Sequence, residues 1–300
     1  MLVSIPSRSH FRVSAGVGNS AKKLITLLHK KQEAVTFVEH RYRLVLTRNL
    51  FWNYAPLSLN ILGEMITTVH DFIAIKNSKY PEKLLRLLWL YILFSRSKKL
   101  ICISEYVSND LNIIFKNRFK NKVIVVPWGY ENEKIRHIMI ARQPNVKLHF
   151  LSVTNKLPHK NNAFLIDAYE TYRSLGGRVP LIVVGGSAKI CYDGITFLNN
   201  IQECHLHKLY LDAIAFISTS TDEGFALPVA EAYSEGIPTI LSDIPVFREL
   251  YIESIFFDVS SVMDLAVKMK GFQSNKSIYE KRQKIWSWSD SLDKITTALT

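Results

Sequence analysis

Short apolar runs alternate along this chain with longer stretches in which apolar residues recur every three or four positions. The runs suit strands buried on both faces, and the longer period suits helices with one core-facing stripe. In the first half the pattern predicts strands over Leu2–Ile5, Ala34–Val38, Met65–Val69, Leu100–Ser104 and Val123–Val126. Helices fall between them at Ala21–Lys31, Pro81–Ser95 and Tyr106–Phe119. In the second half the strands are Leu148–Thr154, Leu181–Val184, Ile195–Leu198, Ala213–Ser218, Thr239–Leu241 and Ile255–Asp258, with an amphipathic helix over Asn162–Ser174. Strand and helix in alternation imply an α/β fold of doubly wound parallel sheets, with right-handed crossovers and ligands at the carboxyl ends of the strands. Chemistry is therefore sought in the loops that follow strands.

The loop after Ala213–Ser218 is the most informative of these. It runs into a helix well marked at both ends, with Pro228 in the first turn, where a missing N–H loses nothing, and Gly236 with Pro238 just past the last. Such a strand-to-helix turn aims the first backbone amides, here around Ala226 to Val229, out of the sheet edge at the positive end of a dipole. Gly224 lets a ligand approach the backbone. Two carboxylates, Glu223 and Glu231, bracket that position. Acids beside a phosphate site repel phosphate and instead accept hydrogen bonds from hydroxyls. Each taken alone reads equally well as a dipole-complementing or solvated glutamate.

The run Glu223-Gly-Phe-Ala-Leu-Pro228, with Glu231 eight positions after Glu223, resembles the Glu-x7-Glu signature of family-4 retaining glycosyltransferases, which have the GT-B fold of two Rossmann-like domains facing a cleft. The resemblance implies that Glu223 contacts the transferred sugar and Glu231 the nucleotide ribose, with Gly224, Phe225, Ala226 and Leu227 lying against the donor. Thr68-Val-His70-Asp71 looks like the His-Asp loop of the mannosyltransferase-like members, in which the His reaches the donor sugar. Asp71 would then orient His70 or cap its loop. Lys160-Asn161 resembles the family loop whose lysine grips the donor diphosphate. Many members carry an Arg five residues earlier, where this chain has Asn155, with Lys156 beside it. Gly16 and Gly18 resemble a glycine-rich loop at the border of donor and acceptor, and Ile201 lies near the turn where members line the nucleotide base. On residue type alone, His70 reads as a structural strand-end histidine, Lys160 as an exposed turn lysine and the glycine pair as a flexible turn.

Composition sets the scale. Three hundred residues at 48% hydrophobic and 21% charged allow two ordinary cores. The expected division is a basic acceptor-side domain over 1–143, a nucleotide-sugar-binding domain over 144–278 and a final helical segment, 279–300, crossing back onto the first. The longest apolar segment, Leu84–Phe94, is interrupted by Arg86 and is short of the ~18 residues of a membrane span. The start, Met-Leu-Val-Ser-Ile-Pro, reads as a first strand and not as a signal peptide, which places the chain in the cytoplasm. Cys102, Cys191 and Cys204 lack metal-like spacing and read as reduced thiols. The net charge of +12 is lopsided: residues 1–145 hold 23 Lys and Arg against 9 Asp and Glu, and the remainder 15 against 17. A basic half suits an anionic partner, the cytoplasmic membrane face included, or a solvated surface.

The sequence holds neither Asp-x-Asp nor a His/Cys/Asp cluster at ligand spacing. The expectation is a transfer without metal or other cofactor, the diphosphate being neutralised by Lys160 and helix amides. The resemblance implies retention of configuration and a hexose donor, with GDP-mannose favoured, and a growing, lipid-linked glycan as acceptor. The alternatives are a nucleotide-sugar epimerase or another GT-B enzyme, a non-catalytic donor-binding partner subunit (suggested by Asn155) and a basic nucleic-acid-binding protein. No recognised module supports the last, and the aromatics are not interleaved with the basic runs.

Overall fold

Every strand of the two large sheets runs parallel to its neighbours. The computed structural model describes residues 2–6, 36–40, 44–45, 51–53, 59–60, 62–129, 148–186, 192–274 and 287–299. The chain divides into two compact units, Met1–Gly129 with Trp286–Thr300, and Tyr130–Ile285. The first boundary thus falls ahead of the expected 143/144, and residues 130–147 lie outside the described residues, as do Ala21–Lys31, Gly16 and Gly18.

The first unit contains β1 (Leu2–Pro6), β2 (Thr36–His40), β3 (Leu44–Val45), β4 (Phe51–Asn53), β5 (Leu59–Asn60), β6 (Met65–Val69), β7 (Ser97–Cys102) and β8 (Val123–Val125). Its six-stranded sheet has the order β2-β1-β4-β6-β7-β8, and β3 pairs separately with β5. Among the described helices are α1 (Ile73–Lys76), α2 (Glu82–Arg96) and α3 (Glu105–Ile114). The α3 helix opens on Ser104, whose hydroxyl accepts the Val107 N–H at 3.2 Å. It stops at Ile114, short of the expected Phe119, because Lys116 and Asn117 take left-handed φ of 50° and 60° that no helix continues through.

In the second unit β9 (His149–Val153), β10 (Leu181–Val184), β11 (Ile195–Leu198), β12 (Ala213–Ser218), β13 (Thr239–Ser242) and β14 (Ile255–Phe257) are joined by α4 (Asn162–Ser174), α5 (Glu203–Leu211), α6 (Leu227–Ser234) and α7 (Pro245–Leu250), with α8 (Val262–Ser274) following. The sheet order is β11-β10-β9-β12-β13-β14. Counted from β9, the chain fills one side of the sheet and then returns to β12 to fill the other, so the winding reverses between β9 and β12. At such a point the two following loops diverge and leave room for a ligand at the carboxyl edge. Phe150, Leu181, Val183, Ala215, Ile217 and Ile240 form a core with Leu165, Ala168, Tyr169 and Tyr172 of α4 and Leu265, Ala266 and Met269 of α8.

The described part of the C-terminal segment, α9 (Trp288–Leu299), belongs to the first unit. Ser291 Oγ donates to Pro127 O at 2.7 Å, and the Trp128 and Trp288 rings lie 6.0 Å apart. Gly129 is pressed against the backbone of Ser287 and Trp288, where any side chain would overlap.

Candidate active site

The two loops at the reversal point of the second sheet are clasped together. After β9 the chain makes a single tight turn, Pro158–Lys160, and Asn161 adopts a left-handed φ of 51° before α4 starts. Asn155 Oδ1 accepts the Leu157 N–H at 2.9 Å, and Asn162 Nδ2 donates to Asn155 O at 2.6 Å. Asn155 is thereby a turn-former. After β12, Thr221 N donates to His159 O at 2.8 Å, and Thr219 Oγ1 lies 3.0 Å from Lys160 O and 3.2 Å from Asn161 O. The backbone on either side of Lys160 is therefore anchored to the β12 loop.

Across this clasp Lys160 Nζ donates to Glu223 Oε1. The side chains are 15% and 9% exposed, so the ion pair is largely shielded from water. The half-buried imidazole of His159 is pushed below its ordinary range, chiefly by burial and then by the Lys160 charge, with Glu223 and Asp222 opposing. The cationic partner of Glu223 in this turn is therefore the Lys160 side chain.

The helix that follows Glu223 starts from Ala226, a residue with a left-handed φ of 58°. Its carbonyl accepts the Val229 and Ala230 N–H groups at 2.9 and 3.1 Å, and Pro228 has no N–H. The open donors at the helix mouth narrow to Ala226 and Leu227, and Val229 drops out of the set expected from the sequence. The reason is local: the left-handed residue folds its carbonyl over the first turn and consumes the donor. At the other end Gly236, with φ of 67°, and Ile237 return N–H bonds to Tyr233 O and Ala232 O at 3.2 and 3.0 Å, the Schellman closure.

Two tyrosines fix this arrangement from outside the motif. The Tyr251 hydroxyl donates to Phe225 O at 2.5 Å, and burial, with Glu223 next, drives its pKa well above the ordinary value. It stays a neutral donor that holds the Glu223–Ala226 turn. The Tyr210 hydroxyl lies 2.8 Å from Glu231 Oε2 and 3.2 Å from Pro228 O. Glu231 is partly buried, and its pKa is raised by burial, lowered by the Tyr210 bond and raised again by Glu203. Neither tyrosine carries a sequence signal for this role, because Tyr210 precedes Glu231 by 21 residues and Tyr251 follows Phe225 by 26.

The remaining candidates each lie within one unit or the other. Lys156 is exposed, and Ile201 is half-buried between β11 and α5. In the first unit His70 follows β6 and meets the Trp128 ring edge-on, with centroids 4.8 Å apart. Asp71 Oδ1 accepts the Ile73 N–H at 3.0 Å, so it caps the turn into α1, one of the two roles expected of it. Among the described residues no group of three or more His, Cys, Asp and Glu is arranged to hold a metal ion.

The sequence pattern of the family described as Glycosyl transferases group 1 matches residues 136–286, half of the chain. The chain belongs to that family. Relatives of this group 1 chain include the O-antigen chain mannosyltransferase RfbU of Salmonella typhimurium, 26% identical over 64% of this chain and 56% of the relative. The serotype-specific mannosyltransferase WbdA of Escherichia coli is 26% identical over 71% of this chain and 30% of its own length. The chain thus spans about half of the former and under a third of the latter. Among solved structures, a glycosyltransferase from Rickettsia africae superposes with a TM-score of 0.64 at 14% identity, over 99% of this chain and 96% of the other. Sucrose-phosphate synthase from Thermosynechococcus elongatus gives 0.62 at 14% identity, over 97% and 79%. These likenesses show the fold: the group 1 chain has the α/β, Rossmann-like GT-B architecture.

Proposed function

We propose that the chain is a retaining hexosyltransferase, mannose being the favoured sugar, acting from a nucleotide-diphosphate donor on a growing, lipid-linked glycan. The observation that carries this reading is the Lys160–Glu223 contact at the point where the second sheet reverses. It sets a cation, for phosphate, beside a carboxylate, for sugar hydroxyls, at the sheet edge where α/β folds bind nucleotides. Family membership supports sugar transfer, and the two mannosyltransferase relatives support mannose; GDP-mannose is the co-substrate of this proposal.

On this reading Lys160 shifts from the Glu223 carboxylate to the donor diphosphate and, with the Ala226 and Leu227 amides, stabilises negative charge as it builds on the leaving group. Glu231, held by Tyr210, accepts from the ribose hydroxyls. Glu223, released from Lys160, orients the sugar. The acceptor hydroxyl attacks the anomeric carbon on the face from which the diphosphate departs. A C–O bond to the acceptor forms as the C–O bond to phosphate breaks, and the acceptor proton passes to the departing phosphate oxygen. On this reading Lys160 and the two helix-mouth amides take up the charge of the leaving group, and the mechanism calls on no metal. The work is placed on the cytoplasmic side, with the basic first half turned to the membrane.

The test is a panel of nucleotide sugars, each assayed for protection against thermal unfolding and for transfer to a glycan acceptor. GDP-mannose is expected to protect most and to be consumed. Protection by no nucleotide sugar would sink the reading; protection without turnover would move the chain to a donor-binding partner subunit.

A further inference from the structure

Helix α2 buries Leu93 and Phe94. On its other side Leu84, Leu85, Leu88 and Ile92 are 52%, 65%, 55% and 41% exposed. At about 100° per residue these four fall within one roughly 100° stripe, opposite the buried pair. The solvent side of a surface helix ordinarily carries charge. Here it carries large aliphatic side chains, and Tyr80, just ahead of the helix, is 79% exposed.

Cations flank the stripe at both ends. Lys79 is exposed at its start, whereas Lys83 falls on the Phe94 side of the helix. Beside its later turns the Arg118 guanidinium stacks on the Tyr91 ring at 5.2 Å, with Lys116 and Lys120 exposed in the same connection. The acid on the helix, Glu82, is paired with Arg86 at 2.6 Å. At 15 residues α2 is shorter than the ~20 that span a bilayer, and no described helix is long and apolar enough to cross one. An apolar stripe edged by Lys and Arg on a short helix matches a bilayer interface instead, with side chains at the acyl boundary and cations at headgroup phosphates. A second copy fits less well, because a two-fold contact would bring the same cations together.

We infer that this face of α2 docks on an anionic phospholipid surface, with Leu84, Leu85, Leu88 and Ile92 entering the interface and Lys79, Lys116, Arg118 and Lys120 on the phosphates. The inference deepens the proposed reading, because a lipid-linked acceptor lies at such a surface.

The test is co-sedimentation of the full chain with phosphatidylcholine vesicles, with and without phosphatidylglycerol. Binding is expected only with phosphatidylglycerol present. Leu84→Gln/Leu88→Gln/Ile92→Gln should weaken it at least ~10-fold while circular dichroism and thermal midpoint stay unchanged. Lys79→Gln/Lys116→Gln/Arg118→Gln should weaken it about fivefold per cation removed. Equal binding to neutral vesicles, or anionic binding that survives the aliphatic triple change, overturns the inference. So does a lack of vesicle binding; if the wild type then forms a dimer that the aliphatic variant dissolves, the face belongs to a second copy. Neither set of changes touches the candidate site, so transfer to a soluble acceptor analogue should persist in both. Vesicle binding without transfer in the wild type would count against the proposed activity and leave the docking face standing.

Discussion

The ammonium group of Lys160 rests on the carboxylate of Glu223, 63 residues further along the chain and in the loop of the adjacent strand. Both groups are shielded, so removing one leaves the other partly buried without its counter-charge. Lys160→Ala is expected to cost about 2 kcal/mol of stability and to weaken nucleotide-diphosphate binding ~100-fold, read by thermal unfolding and calorimetry. Glu223→Gln keeps an oxygen acceptor for Lys160. It should leave nucleotide affinity within about threefold and lower sugar transfer ~100-fold or more. Retention of full affinity by Lys160→Ala would remove the cation from the donor site.

Tyr210 acts on Glu231 through one hydroxyl at 2.8 Å. Tyr210→Phe deletes that bond and keeps the ring stacked on Phe216, where centroids are 5.8 Å apart. The expected result is a donor KM raised about fivefold with kcat little changed, since a ribose contact is made equally in ground and transition states. A change in kcat alone would place Glu231 elsewhere in the reaction.

Glu235 is 9% exposed, and its Oε2 has no hydrogen-bond partner among the described residues. Burial, and then the Glu231 charge, push its pKa up from 4.5 to about 7. The folded chain therefore holds this proton more tightly than the unfolded chain, and stability falls as pH rises from about 4.5 to about 7. Glu235→Gln should match the wild type at the acid end of that window and exceed it by about 1 kcal/mol above it, read as thermal midpoints across the range. Parallel pH profiles for the two proteins would show that folding does not shift the Glu235 carboxyl.

Gly129 lies against the Ser287 and Trp288 backbone with no room for a side chain. Gly129→Ala should displace α9 from Pro127 and Trp128 and destabilise the first unit by roughly 2 kcal/mol or more. Hydrogen exchange should quicken in α9 and leave α4 and α8 unchanged. Equal protection of α9 in both proteins would mean that Gly129 is not what seats it.

The local elements were readable because each is specified within a dozen residues. Asn162–Ser174 is a helix over the same residues that its period predicts, and Pro228 and Gly236 mark the ends of α6 as their backbone chemistry requires. Phe51–Asn53 escaped notice, since three residues are too few to show a period, yet it is a strand within the first large sheet. The end of α3 was also missed, because Lys116 and Asn117 are ordinary in type and only their φ angles reveal the break. Within the candidate site, Glu223, Glu231 and Lys160 stand out through their motifs. Tyr210 and Tyr251 do not, because a hydroxyl that reaches a carboxylate or a carbonyl more than twenty residues away leaves no local trace.

By itself, then, the sequence determined most of the described strands and helices, their parallel winding and the loops worth inspecting, since hydrophobic period and turn chemistry act over a few neighbouring residues. Tertiary structure alone decided that β9 and β12 are adjacent, that Lys160 meets Glu223 and that two distant tyrosines hold the acidic residues and their turn. Strand order follows from burying both faces of the whole sheet under its crossover helices, and that is a property of the assembled unit and not of any one stretch of it.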